Sequence, residues 1–228
     1  MANKAEQRDN LQEIESALTK TEQFIEDNQK IITYAIGAIV LVVLGYLGFN
    51  KFYMQPREKE AQSQMFMAEQ YFEKDSFNLA LNGDGNYLGF LDIIDDYGMT
   101  KSANLARYYA GISYLRTGQY EDAIDQLGSF STDDLVLGPV AEGAKGDAYL
   151  ELGQKDKALK QYQKAASMTT NEFTTPIYLL KAGNLLESEG DLNKALALYK
   201  EIKEKFAESA EGRSIDKYIA RIEVQQKK

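Results

Sequence analysis

At 228 residues the chain has room for one ordinary core or for a solenoid of helical hairpins, and its formal charge of −9, with no basic cluster, argues against a nucleic-acid partner. It has no cysteine and no histidine, which removes disulfides, a thiol nucleophile, a lipoprotein-type anchor, zinc sites and any Ser-His-Asp set. Three prolines, abundant Ala, Leu, Glu, Lys, Gln and Tyr after residue 60, and no long Val/Ile alternation predict an all-α protein.

Residues 1–30 read as an acidic N-terminal arm. Within it Leu11, Ile14, Leu18, Phe24 and Ile25 recur at roughly helical spacing, which predicts a partly amphipathic helix for a membrane surface or a partner; a partly ordered polar tail is the alternative. Residues 31–50, IITYAIGAIVLVVLGYLGFN, carry no charge and lie between Lys30 and Lys51. Twenty helical residues rise about 30 Å, the thickness of a hydrocarbon core, so a transmembrane helix is expected here. Tyr34 near one end and Tyr46, Phe49, Phe52 and Tyr53 near the other suit an aromatic belt. A cleaved signal peptide fits poorly. The preceding region is long and acidic, and Lys51-Phe52-Tyr53-Met54 offers no small-x-small site. Lys20 and Lys30 before the span nearly balance Lys51, Arg57 and Lys59 after it, so flanking charge leaves the orientation open. Gly37, Ala38, Gly45 and Gly48 are candidate membrane-helix packing positions, although no GxxxG is present and ordinary transmembrane glycine content is the simpler explanation. Residues 51–60 read as a juxtamembrane linker.

Residues 61–228 are expected to form a helical-hairpin domain. A glycine-tyrosine-glycine-alanine pattern recurs there as Gly111, Tyr114, Gly118, Tyr120, Ala123, Leu127, then as Gly146, Tyr149, Gly153, Ala158, Tyr162, Ala165. A third copy has Ala182, Gly183, Leu186, Gly190, Leu192, Ala195 and Tyr199, and a degenerate earlier one has Ala68, Tyr71, Asp75, Phe77 and Ala80. The turn glycines Gly118, Gly153 and Gly190 stand 35 and then 37 residues apart. Gly118, Gly153 and Gly190 are expected to end the first helix of each pair. Gly111, Gly146 and Gly183 would let the second helix approach the first, Ala123, Ala158 and Ala195 keeping it close. Thr174-Thr175-Pro176 reads as a helix start behind a capping residue, with Asp191 supplying polar groups where a helix resumes. From about Ala61 to Phe206 the chain resembles the tetratricopeptide repeat family. It departs from that pattern in lacking a tryptophan early in each repeat and a proline at the repeat end, and in the extra segment Leu81 to Thr100 after the first copy. Ile215, Tyr218, Ile219 and Ile222 predict a C-terminal capping helix.

The acid pairs Asp95-Asp96 and Asp133-Asp134 read as solvated helix ends, and Asn82-Gly83-Asp84-Gly85-Asn86 as a flexible connection, since a calcium loop would need glycine at Tyr87 and glutamate at Ile93. No catalytic set, cofactor motif or metal site emerges, and a non-enzymatic protein is expected. The tetratricopeptide resemblance implies a curved array whose first helices line an inner groove. By repeat position this gives the partner-binding candidates Met65, Glu69, Phe72, Tyr108, Ile112, Leu115, Asp147, Leu150, Leu180, Asn184 and Glu187. Their mixture of apolar and acidic groups suits an extended or helical peptide, and equally an ordinary solvated face.

Taken whole, the arm, the span and the hairpins resemble the YfgM-like ancillary subunits of the bacterial Sec translocon. The supporting residues are Phe24-Ile25-Glu26-Asp27-Asn28-Gln29-Lys30 running into the span, Phe66, Ala68 and Tyr71, and Phe90-Leu91-Asp92-Ile93-Ile94-Asp95-Asp96-Tyr97. The resemblance implies a single-pass protein of the bacterial inner membrane, with a cytoplasmic N-terminus and a periplasmic repeat domain. It implies the translocon channel subunits and a membrane-anchored prolyl-isomerase-like chaperone as partners, unfolded secreted polypeptides as clients, and the lipid bilayer as surroundings. A structural organiser of another envelope assembly complex is the alternative.

Overall fold

The computed structural model describes residues 22–227, all helix, turn and loop with no strand among them. Leu11, Ile14 and Leu18 of the expected amphipathic helix lie outside the described residues. Residues 22–27 are helical, and Phe24 and Ile25 are exposed. The chain divides into two units, one ending at Pro56 and the other beginning at Arg57.

In the first unit, α1 (Gln29–Phe49) is a 21-residue helix that buries none of its side chains. Its length and composition suffice to cross a membrane. A five-residue π-helical turn, Asn50–Met54, follows it. The sequence places Phe49 four residues before Tyr53, and their rings stack at 5.1 Å.

The second unit begins within α2 (Gln55–Glu73), whose Ala61, Met65 and Ala68 form one buried stripe at helical spacing. Two short helices cover that stripe: α3 (Phe77–Asn82) and α4 (Phe90–Asp96). The segment from Leu81 to Thr100 is therefore more than an insertion. Phe90 and Ile93 of α4 are wholly buried at the centre of the first core, together with Leu81 and the alanines of the next helix, α5 (Lys101–Arg116). Nor is the α3–α4 connection loose. Asp84 Oδ1 accepts from the backbone N–H of Asn86 (2.9 Å) and Tyr87 (2.8 Å), and Tyr71 OH donates to Asp84 Oδ2 at 2.8 Å. These bonds hold the Asp84 carboxyl below its ordinary pKa. The start of α2 is pinned to its neighbours as well. Glu58 Oε2 accepts from Lys101 N (2.6 Å) and Glu58 Oε1 from Ser102 N (3.1 Å), while Arg57 donates to the Asp96 carbonyl.

Three regular hairpins follow, α5 with α6 (Tyr120–Ser129), α7 (Leu137–Glu151) with α8 (Lys155–Met168), and α9 (Thr175–Ser188) with α10 (Leu192–Lys205). Their turns place Gly118, Gly153 and Gly190 at φ +77, +71 and +82. In the first hairpin Asp75 takes that conformation at φ 55. Within each pair the partner of the packing glycine is the residue sixteen positions on. A Cβ on Gly111 would lie 2.5 Å from Leu127, on Gly146 2.6 Å from the Tyr162 ring, and on Gly183 2.4 Å from the Tyr199 ring. Pro176 stands in the first turn of α9 as expected, but Thr174 makes no side-chain cap there. Asn171 instead braces the turn ahead of the helix, its Oδ1 accepting from Phe173 N (2.8 Å) and Thr174 N (2.7 Å). After a 3₁₀ turn, Gly212–Ser214, α11 (Asp216–Gln225) lays Ile215, Ile219 and Ile222 on Tyr199, Ile202 and Phe206 and closes the array.

Candidate partner-binding cleft

Successive first helices bring together side chains one repeat apart in sequence. Asp147 on α7 and Lys181 on α9 are separated by 34 residues, and the Lys181 ammonium donates to both carboxylate oxygens at 2.6 and 2.7 Å. The Tyr162 hydroxyl, on α8 between them, donates to Asp147 Oδ1 at 2.7 Å. Lys181 Nζ also lies 5.6 Å from the Tyr162 ring centre and 6.0 Å from that of Tyr178, a cation–π setting that fixes its position further. Burial and the Asp147 hydrogen bond push the Tyr162 hydroxyl well above its ordinary pKa, and burial with the Asp147 charge does the same for Tyr178. Tyr162 therefore acts as a neutral donor to Asp147. The arrangement repeats one hairpin on: Tyr199 OH lies 2.8 Å from Asn184 Oδ1 and 3.0 Å from Glu187 Oε2. Glu187 receives a two-pronged ion pair from Arg221 of α11, again 34 residues on, at 2.7 and 2.6 Å.

A cleft of about 330 Å³ opens at this network, lined by Asp147, Leu150, Lys155, Tyr162, Lys181, Asn184, Leu185 and Ser188. A second, of about 260 Å³, is formed by Leu115, Tyr120, Asp147, Leu150, Glu151 and Lys181. The two share Asp147, Leu150 and Lys181, so a floor with leucines and paired charges runs from the end of α5 to α9.

Of the eleven groove candidates, four line these clefts: Leu115, Asp147, Leu150 and Asn184. Glu187 stands one turn from Asn184, engaged by Arg221 and Tyr199. Met65 does not belong in a groove. It is 3 % exposed because it shares the inward stripe of α2 with Ala61 and Ala68. Phe72 is committed to an aromatic cluster, 5.6 Å from Phe77, 6.3 Å from Phe90 and 5.0 Å from Tyr109. Glu69, half-buried on α2, has its carboxyl raised by burial and by the charge of Glu73. Tyr108 packs on Phe130 at 5.4 Å, Ile112 and Leu115 pack on the small core of Leu127, Ala141 and Ala144, and Leu180 packs on the last core. Lys181, Tyr162 and Tyr120 were not among the candidates, although their tie to Asp147 and its cleft is the centre of the site. On α1, a Cβ added to Gly37, Gly45 or Gly48 meets nothing within 4 Å, and Ala38 is exposed.

The tetratricopeptide repeat family matches the chain over residues 144–210, and a second tetratricopeptide repeat family over residues 105–133. A search of curated proteins finds no match. Among solved structures, the chain is similar to a Podosopora anserina protein described as a kinesin light chain with nearly identical TPR-like repeats. The TM-score is 0.54 at 13 % identity, over 72 % of this chain and 86 % of that one. A singly substituted form of that protein aligns with the same score and identity, over 72 % and 85 %. At that identity the likeness concerns the fold. It agrees with the hairpins, the turn glycines and the closing helix: the described residues are all helix, turn and loop, and they carry tetratricopeptide repeats over 105–133 and 144–210.

Proposed function

We propose that the chain is a membrane-tethered scaffold that holds a polypeptide segment in the cleft around Lys181, and that it is not an enzyme. The observation that carries this reading is the cleft itself. Its leucines offer apolar contact, while Asp147, Lys181 and Asn184 present fixed polar groups, the combination that recognises an extended or helical peptide. Tyr162 at its wall is held protonated by burial and by its hydrogen bond to Asp147, which suits a donor that positions and not a group that transfers protons. The tether rests on α1, an apolar helix of membrane-spanning length with no buried side chain, unlike the core helix of a globular domain.

The resemblance to ancillary translocon subunits supports a finer assignment. The arm of residues 1–30 is cytoplasmic, the repeats are periplasmic, and the scaffold binds channel subunits and a prolyl-isomerase-like chaperone near emerging secreted chains. Tethering beside a channel raises the effective concentration of the binding surface at the exit. A photo-crosslinking residue at Leu150, in intact cells, tests the cleft. Adducts with a chaperone or with many secreted chains, reduced at least several-fold by Lys181→Glu, are expected. Adducts at Leu150 that are indifferent to Lys181→Glu would remove the cleft from the reading. A single stoichiometric partner would favour the structural organiser. Protease accessibility in spheroplasts tests the side: digestion of the repeats from outside is expected, and full protection would reverse the topology.

A further inference from the structure

The two ends of the hairpins differ in chemistry. At one end lie the turns within each pair, Lys74-Asp75-Ser76, Thr117-Gly118-Gln119, Gly153-Gln154 and Glu189-Gly190-Asp191, which expose no large apolar side chain. At the other end lie the loops that enter α5, α7 and α9. These expose Met99 (72 %), Leu135 (68 %), Val136 (47 %) and Phe173 (75 %).

A line of hydrogen bonds puts those loops on a single edge. Glu58 at the start of α2 accepts from Lys101 N and Ser102 N at the start of α5. Asn104 Nδ2 donates to Ser131 O (2.7 Å), and Ser131 N to Asn104 Oδ1 (3.1 Å). Leu135 O in turn receives Thr169 Oγ1 at 3.3 Å and Asn171 Nδ2 at 3.4 Å. The loops are also braced from within. Asp134 Oδ1 accepts from Val136 N and Leu137 N, each at 2.8 Å, and Asn171 Oδ1 holds Phe173 N and Thr174 N. Polar side chains are thus spent on fixing an outward-facing apolar tip, the reverse of what water favours. A rimmed apolar patch held this way marks a binding surface.

The edge is also the one where the chain enters the domain, because Glu58 and Arg57 sit on it. Arg57 comes only seven positions after Asn50, the end of the uncharged run. Even fully extended they reach no more than about 25 Å. Given the tether proposed above, on which this inference rests, covalent connection keeps this edge near the bilayer. We infer that the repeat domain docks on the lipid surface through this edge, with Leu135, Val136, Phe173 and Met99 entering the interfacial layer. Asp133, Asp134 and Glu172 stand beside the tips, so the surface that suits them is zwitterionic and not strongly anionic. Docking in this pose leaves the polar turns, and the Leu150 side of the cleft, turned toward solvent.

The chain contains no tryptophan, so single reporters are clean. Full-length Leu135→Trp, Phe173→Trp, Gln119→Trp and Tyr46→Trp are each reconstituted into phosphatidylcholine vesicles with and without lipid carrying a bromine quencher high on the acyl chain. Docking predicts loss of most emission at 135, 173 and 46, and little loss at 119. Quenching at 46 with none at 135 and 173 would overturn the docking while leaving the tether intact, and would assign the patch to a protein partner. Equal quenching at 119, 135 and 173 would overturn the end-on pose. No quenching at 46 would overturn the tether, and the inference with it.

Discussion

Asp75 occupies the turn position that glycine fills in every later hairpin, and it does so at φ 55. For a non-glycine residue that backbone costs about 1 kcal/mol, and glycine returns about half of it as unfolded-chain entropy. Asp75→Gly is therefore expected to stabilise the first hairpin by roughly 0.5 kcal/mol, and Gly153→Ala, where an added Cβ meets nothing within 4 Å, to cost about 1 kcal/mol through the backbone alone. Urea midpoints check both signs. Gly146 separates packing from backbone more sharply. A Cβ there lies 2.6 Å from the rigid, buried Tyr162 ring, so Gly146→Ala should destabilise by about 1–2 kcal/mol despite alanine's better helix propensity. In a Tyr162→Ala background the same change should become stabilising by up to about 1 kcal/mol. The same sign in both backgrounds would show that the ring is not what the glycine accommodates. These glycines were readable in the sequence because each does a job only glycine does well. Lys181 was not, because a lysine in a helical run reads as a solvated residue until the partner one repeat away is known. Its 34-residue offset from Asp147, shared by Arg221 and Glu187, is the signal that was present and unused.

At the level of elements, α11 is fastened by apolar burial and by the Arg221–Glu187 pair, whose carboxylate is mostly covered. The hydrogen bonds from Arg221 hold the Glu187 carboxyl below its ordinary 4.5, against the opposing effect of burial. A depressed carboxyl pKa adds stability above the unfolded value, and that stability disappears as pH falls through the folded one. Protection of the α11 amides should accordingly be flat from neutral pH down to about 4.5 and fall below it. Arg221→Met should lower the plateau and flatten the fall, as hydrogen exchange at several pH values would reveal. An unchanged acid response in Arg221→Met would mean other carboxylates control it. The capping role of α11 was legible from Ile215, Ile219 and Ile222. The role of α4 was not. Phe90, Ile93 and Tyr97 carry helical spacing, yet the helix is seven residues long and stands outside the repeat pattern, so in the sequence it belongs only to an extra segment after the first copy. Asn82 to Asn86 read as a flexible connection once the calcium-loop pattern failed at Tyr87 and Ile93, and only the fold brings Tyr71 to Asp84.

Across the repeat domain the buried apolar residues fall into three groups and not one core. Sixteen buried residues from Ala158 to Ile222 form the last group and eleven from Ala61 to Ala110 the first. Between them stand Leu127, Ala141 and Ala144, with Tyr108, Ile112, Leu115 and Phe130 packed around them, and the buried Ala123 and Ala148. A solenoid's cooperativity depends on the interfaces between neighbours, and this middle interface buries mostly alanine, with Pro139 and Leu127 its larger buried side chains. Leu127, 2 % exposed and fitted against Gly111, is the residue that couples the halves. Leu127→Ala should cost about 2–4 kcal/mol, and its main effect should be on coupling. Hydrogen exchange should resolve two blocks, α2–α5 and α8–α11, whose opening energies lie close together in the native chain and separate in the variant. The first block should keep its protection when Ile222→Asp unfastens the last. The three-group core explains why that outcome is expected: Ile222 belongs to the last group, none of whose buried residues precedes Ala158, so its loss reaches α5 through the thinly packed middle of the array. If Ile222→Asp instead collapses protection from Ala61 to Ala110 in step with the C-terminal hairpin, the middle interface is far stronger than its few buried atoms imply, and the domain folds as one body.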